Sequence, residues 1–218
     1  MIKRSDCPVC RISDKLFMVQ LEREIPPPQI PILGGDASAG YLVRILEHAC
    51  ESRSISYEEA LSIAGKDTDD ALMLGWQWRL LIPVRTSRCG EWDDRVLMLE
   101  PGEQYEMPNI SRWLLLIFKE TGEWRPRQAV SDYFRDSGEP EWAQMPVLAR
   151  EMKIRCEKGV ITAVQISESC RSAGLADRVD TMIAILKGAG VMSPRLGSLN
   201  LVNTTGMPLY EIHPCLLT

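Results

Sequence analysis

The chain has 218 residues, a formal net charge of −5, 45% hydrophobic residues and 25% charged residues. That apolar fraction fills a core, so disordered and collagenous chains are excluded, and the longest apolar run (Trp113 to Phe118) falls far short of the roughly 20 residues that span a bilayer. The acidic balance excludes a protein that coats nucleic acid over its whole surface, but not one with a single basic face.

Residues 1–39 form an arm with the pair Cys7-Pro8-Val9-Cys10 and a punctuated run from Ile25 to Pro31. Three successive prolines, Pro26 to Pro28, forbid a helix interior and favour an extended path. Leu33-Gly34-Gly35-Asp36 follows, so 25–38 reads as a linker or a surface arm. No apolar h-region lies in 1–10, and the seven cysteines are scattered. The expectation is a cytoplasmic chain with reduced thiols.

Helical periods follow. Tyr41, Leu42, Ile45, Leu46 and Ala49 share one face over 41–50. Ser56-Tyr57-Glu58-Glu59 fits a capping box and predicts a helix to Ala64, stopped by Gly65. Asp67 or Thr68 caps a third helix over 69–80, with Asp69 and Asp70 in its positive first turn. Residues 82–85 then run extended, Cys89-Gly90 turns, and 95–99 is strand-like, giving a two-stranded ribbon. Pro101-Gly102 is a break. The connecting segment 102–144 holds an apolar helix over 110–118, Gly122, and a helix over 126–136. It reads as a spacer or as a dimerisation face. The earlier order then recurs. A helix over 144–156 tolerates Pro146 in its first turn. A short helix over 165–172 ends at Gly174. A third, over 177–187, puts Val179, Met182, Ile183 and Leu186 on one face and ends at Gly190. Two strands, 191–195 and 208–213, flank a turn at 203–206.

Two segments therefore match in order and spacing. Each reads short helix, glycine turn (Gly65 or Gly174), longer amphipathic helix, apolar residues, then a proline and an arginine: an internal repeat. The residues Gly174 to Val179 and Ile185 to Val191 resemble the winged helix-turn-helix superfamily, whose third helix runs into an L-x-x-x-G-[LIV] signature before a strand and a hairpin wing. Leu186, Gly190 and Val191 fill those places. In the first copy, Trp78-Arg79-Leu80-Leu81-Ile82 fills them without the glycine. The resemblance covers 40–100 and 145–214. It implies a mainly α fold with small β-hairpins, in which two winged-helix-like three-helix domains, 40–101 and 145–218, are joined by a helical segment. It also implies a side from which the third helix and wing meet double-stranded DNA.

Charge assigns the two copies different tasks. Segments 1–39, 40–101, 102–144 and 145–218 carry net charges of 0, −4, −3 and +2. The third helix of the first copy opens with acids, which repel phosphates. Its wing offsets Arg85, Arg88 and Arg95 with Glu91, Asp93 and Asp94. Trp92 there is either an exposed anchor for a protein partner or a hairpin core aromatic. The second copy offers Arg171 at the turn, Arg178, Thr181 and Lys187 on the third helix, and Arg195 at the wing base. Asp177 and Asp180 weaken the field, and 196–207 adds no Lys or Arg. Arg125, Arg127 and Arg135 with Trp124, Tyr133 and Phe134 read either as an aromatic-basic patch for nucleic acid or as caps and core.

Cys7 and Cys10 could present two thiolates to zinc, with His48 and Cys50 as the nearest further ligands. Those two would project from one helix end at i, i+2, an awkward geometry, so the leading expectation is no cofactor. No P-loop, GxGxxG, GxSxG or HExxH occurs, and the two histidines, His48 and His213, nominate no reaction. The leading expectation is a DNA-binding transcriptional regulator, not an enzyme and not a membrane protein. The alternatives are a winged-helix module that binds a protein or a second copy, and a zinc or thiol sensor.

Overall fold

The computed structural model describes residues 37–84, 91–92, 95–195 and 207–217. Cys7, Cys10, the proline run, Arg85, Arg88 and the turn at 203–206 lie outside the described residues. The architecture is mainly helical with two small antiparallel sheets.

Helix α1 (Ala37–Ser52) extends the periodic run at both ends. Arg53, at φ 69°, turns the chain into β1 (Ser54–Ser56). Ser56 then caps α2 (Tyr57–Ala64) with the expected capping box: its hydroxyl accepts from the Glu59 N–H, and the Glu59 carboxylate accepts from the Ser56 N–H at 2.7 Å. Gly65 ends α2 at φ 57°, and a 3₁₀ turn, Gly65–Asp67, leads into α3 (Thr68–Gln77). Neither Asp67 nor Thr68 caps α3 through its side chain; the Thr68 hydroxyl donates back to the Gly65 carbonyl at 2.6 Å. Helix α3 stops at Gln77 rather than at residue 80, because Arg79 takes a left-handed conformation, φ 56°, that no helix continues.

Strand β2 (Ile82–Pro83) is as expected, but its partner is not 95–99. It is β3 (Gln104–Glu106), beyond the Pro101-Gly102 break. The reason is burial. Val96 and Met98 are exposed, whereas Tyr105 is fully buried and its hydroxyl donates to the Met98 carbonyl. The sheet has three strands rather than two, with β3 between β1 and β2. Ile55 and Pro83 flank Tyr105 across it.

Helix α4 (Asn109–Thr121) ends at left-handed Gly122, and α5 (Pro126–Asp136) opens with its proline at the first position, where no N–H is needed. The apolar face of α4 is used inside the chain: Ile110, Leu114, Leu115, Ile117 and Phe118 are buried, so this face is core and not a dimerisation surface. The aromatic residues beside Arg125 are core as well. Phe134 is fully buried, and the Trp124 indole donates to the Cys215 carbonyl at 3.4 Å.

The second occurrence of the order begins with α6 (Met145–Arg155), β4 (Val160–Thr162) and α7 (Ala163–Ser172). Helix α7 starts at 163, not 165, because Thr162 and Gln165 form a second capping box. A 3₁₀ turn, Ala176–Arg178, precedes α8 (Val179–Ala189), which Gly190 ends at φ 74°. Strands β5 (Met192–Pro194) and β6 (Leu209–Ile212) complete a sheet in which β6 lies between β4 and β5. Its central residue, Tyr210, faces Ile161 and Pro194, the same Ile–Tyr–Pro row as in the first sheet. Both prolines sit on edge strands, where a missing N–H breaks no ladder. A single apolar cluster, from Ala39 to Leu216, runs through both units and the helices between them. Among the described residues, no helix is long and apolar enough to cross a membrane.

Candidate nucleic-acid interface

The turn between α7 and α8 is built by its backbone. The N–H of Leu175 donates to the Cys170 carbonyl at 2.8 Å, Gly174 supplies a positive φ of 76°, and Leu175 itself is buried. Helix α8 then buries Met182, Leu186 and Ala189 and leaves Asp180, Thr181, Ala184, Lys187 and Gly188 along one exposed stripe. Arg171 at the end of α7 and Arg195 just past β5 are exposed as well. Thr181 and Lys187 thus share the exposed stripe of α8, and Arg171 and Arg195 are exposed on neighbouring elements of the same unit.

Arg178 is used differently. Its guanidinium lies 2.6 Å from the Glu139 carboxylate, which is almost fully buried and also accepts from the Glu141 N–H at 3.2 Å. Burial works to raise the Glu139 carboxyl, but the hydrogen bonds from Arg178 and Glu141 outweigh it and hold the group below the ordinary carboxylate range. Arg178 therefore ties the start of α8 to the turn before α6. Its partner is 39 residues away in sequence, and no local spacing reveals it.

The two units meet in a polar junction that sequence reasoning missed. The Arg79 guanidinium donates twice to Glu211, at 3.1 Å for each bond, and stacks 5.0 Å from the Trp76 ring. The Arg79 carbonyl accepts from His213 Nε2 at 2.9 Å, and Ser111 Oγ lies 2.8 Å from the same nitrogen. His213 Nδ1 accepts from the Cys215 N–H at 3.2 Å, which places the ring proton on Nε2. Burial pushes His213 down to about 4, against the hydrogen bond to Arg79 that favours its charged form. Ser111 and His213 are both buried, so this Ser–His pair is a structural pin. Trp92 is buried beside it, its ring edge-on to His213 at 5.7 Å and its backbone N–H donating to Ser193 Oγ at 3.0 Å. It is the core aromatic of the two readings and not an exposed anchor. A sequence signal for the junction exists: Tyr105-Glu106-Met107-Pro108 is echoed by Tyr210-Glu211-Ile212-His213-Pro214. Each Glu follows the central tyrosine of its sheet and binds an arginine, Arg95 or Arg79.

Lys187 also borders a cleft of about 470 Å³ between the units, which Arg53, Arg95, Glu91 and Glu106 line as well. The end of α8 closes there on the start of α4. Asn109 donates to the Gly188 carbonyl at 3.3 Å, and a Cβ on Gly190 would meet the Pro108 ring at 2.7 Å.

On the first unit, α2 and α3 expose Leu61 and Met73 beside Glu58, Asp69 and Asp70, a surface both apolar and acidic. Of the proposed metal ligands, Cys50 is buried and its thiol is pushed up by that burial, while His48 Nε2 lies 3.7 Å from Glu59. Burial likewise raises Cys170 and Cys215, which suppresses the thiolate that metal binding or nucleophilic attack needs. Among the described residues, no three His, Cys, Asp or Glu side chains gather as a metal site.

A family model matches residues 29–218, so the chain belongs to that family. No curated protein and no solved structure matches the chain.

Proposed function

We propose that the chain is a tandem winged-helix protein whose second unit contacts double-stranded DNA as a transcriptional regulator. The observation that carries this reading is the recurrence itself. Helix, strand, helix, helix, strand, strand occurs twice, and each time the last strand lies between the other two. Such a unit projects its third helix from one side, where the groove of a duplex accepts it. The exposed stripe of α8 supplies Thr181 and Lys187, and Arg171 and Arg195 add exposed positive charge on the same unit. Arg178 belongs to the scaffold rather than to the contact, because Glu139 holds it.

The test is duplex binding by the full chain across a salt series. We expect binding that weakens steeply with salt, and a Lys187→Glu/Arg195→Glu variant with at least about tenfold lower affinity and a smaller salt slope, since each phosphate contact contributes nearly one unit of that slope. Absence of binding at about 50 mM salt, where phosphate contacts are strongest, sinks the proposal.

A second reading has its own observation. Exposed Leu61 and Met73 among the acids of α2 and α3 suit a protein contact, made with a partner or with a second copy of the chain. A Leu61→Ser/Met73→Ser variant that keeps DNA affinity but loses a self-association seen by sedimentation supports it. A monomeric wild-type chain removes the second-copy form.

A further inference from the structure

Away from both third helices, a second cleft of about 430 Å³ opens between the first turn of α5 and one face of α6. Its rim carries Arg125, Arg127, Arg150 and Lys153, and no carboxylate lines it. Pro146, Ala149, Arg150 and Lys153 recur at helical spacing, so α6 presents a single stripe to the cleft, apolar at one end and basic at the other. The floor is apolar, built from Val130, Ala149 and Leu216. Acids outside the cleft lining already touch parts of the rim: Arg125 pairs with Glu123 at 2.8 Å, and Arg150 with Glu151 at 3.1 Å. Among the described residues, no ion pair engages exposed Arg127. The first turn of α5 has no side-chain cap, so its N–H groups add to the positive field.

We infer that this cleft binds a small organic anion, with an acidic head group on the basic rim and an apolar body on the floor. The volume falls in the range of small-molecule pockets, and planar guanidinium groups suit carboxylate, sulfonate or phosphate heads. The rim alone would accept inorganic phosphate; the apolar floor is what selects an amphipathic anion. This inference does not depend on DNA binding, because the cleft shares no residue with the proposed contact.

The test uses the full chain and the fluorescent probe 8-anilinonaphthalene-1-sulfonate. We expect saturable binding to the folded protein, displaced by octanoate at concentrations where inorganic phosphate has little effect. Arg127→Glu/Lys153→Glu reverses the rim charge at two exposed positions and is expected to weaken the probe at least about tenfold. Ala149→Trp fills the floor, leaves the charge unchanged, and is expected to do the same. Unchanged probe binding in the exposed charge variant overturns the inference even if Ala149→Trp fails to fold. Displacement by phosphate as effective as by octanoate overturns the apolar half of it. Loss of duplex binding in the charge variant with the probe still bound makes the rim a nucleic-acid surface and overturns it as well.

Discussion

After the third helix, the two units make the same left-handed turn with different residues. In the second unit the residue is Gly190, at φ 74°, and the Pro108 ring stands where its Cβ would be. In the first unit it is Arg79, at φ 56°, a conformation that costs a residue with a Cβ about 1–2 kcal/mol. Arg79 offsets that cost through its side chain, which clamps Glu211 of the other unit. The difference extends to the sheets. Glu106 binds Arg95 within its own unit, whereas the equivalent Glu211 is held across the junction. The recurring order of elements thus keeps its local conformation and differs where the two units touch: one turn is crowded by the start of α4, and the other reaches out to the opposite unit.

Substitution at the two turns tests this directly and carries the largest expected effect. Gly190→Ala imposes left-handed strain and a clash with a proline ring that cannot rotate away, a cost of about 2–4 kcal/mol, read as a lower urea midpoint. Arg79→Ala keeps the strain and breaks a half-buried bidentate pair, at about 1–3 kcal/mol. Arg79→Gly breaks the pair but relieves the strain, so it should be milder than Arg79→Ala by about 1 kcal/mol. If Gly190→Ala is no worse than Arg79→Gly, the asymmetry between the turns has no energetic content.

Next in size is a pH effect centred on the junction. His213 is fully buried and held to about 4, well below an ordinary histidine. Between about pH 6.5 and 4 the unfolded chain binds a proton that the folded chain refuses, so stability falls as pH drops through that window. The expected loss by pH 4 is up to roughly 3 kcal/mol. His213→Gln, which does not titrate, is expected to flatten the slope there and leave the steeper loss below pH 4.5 that Glu59 and Glu139, both held low, contribute. A slope unchanged by the substitution would assign the effect to other groups.

What could be read in advance followed the range of the interaction. The break after α4 and the start of α5 were legible, because Gly122 and Pro126 act on their own neighbours. The Ser56 box was legible because its two halves lie three residues apart. Strands β1 and β4 escaped because each has three residues and a single buried one, Ile55 or Ile161, too short for alternation to register. The strand-like run 95–99 misled because its alternation does not show which face a partner will cover, and the buried tyrosine that decides lies beyond a Pro-Gly break. In the candidate interface, exposure of Arg171, Thr181 and Lys187 followed from the helical period, whereas Arg195 lies just past β5, outside any helix. The fate of Arg178 depended on Glu139, and that of Arg79 on Glu211; pairs so distant leave no spacing to read. The Tyr-Glu echo was the one available pointer to the junction.

The smallest expected effect tests the other half of the comparison, that the copies are locally alike. Ser56 and Thr162 begin equivalent helices with the same reciprocal box, toward Glu59 and Gln165. Ser56→Ala and Thr162→Ala each remove one side-chain acceptor from a first-turn N–H and are expected to cost about 1 kcal/mol apiece. The boxes lie on different units and share no partner, so the double variant should be additive. Equal, additive losses here beside unequal losses at Gly190 and Arg79 place the divergence of the copies at their junction. Unequal losses at the caps mean instead that the units differ throughout, and that the matching order of elements conceals two separately balanced helices.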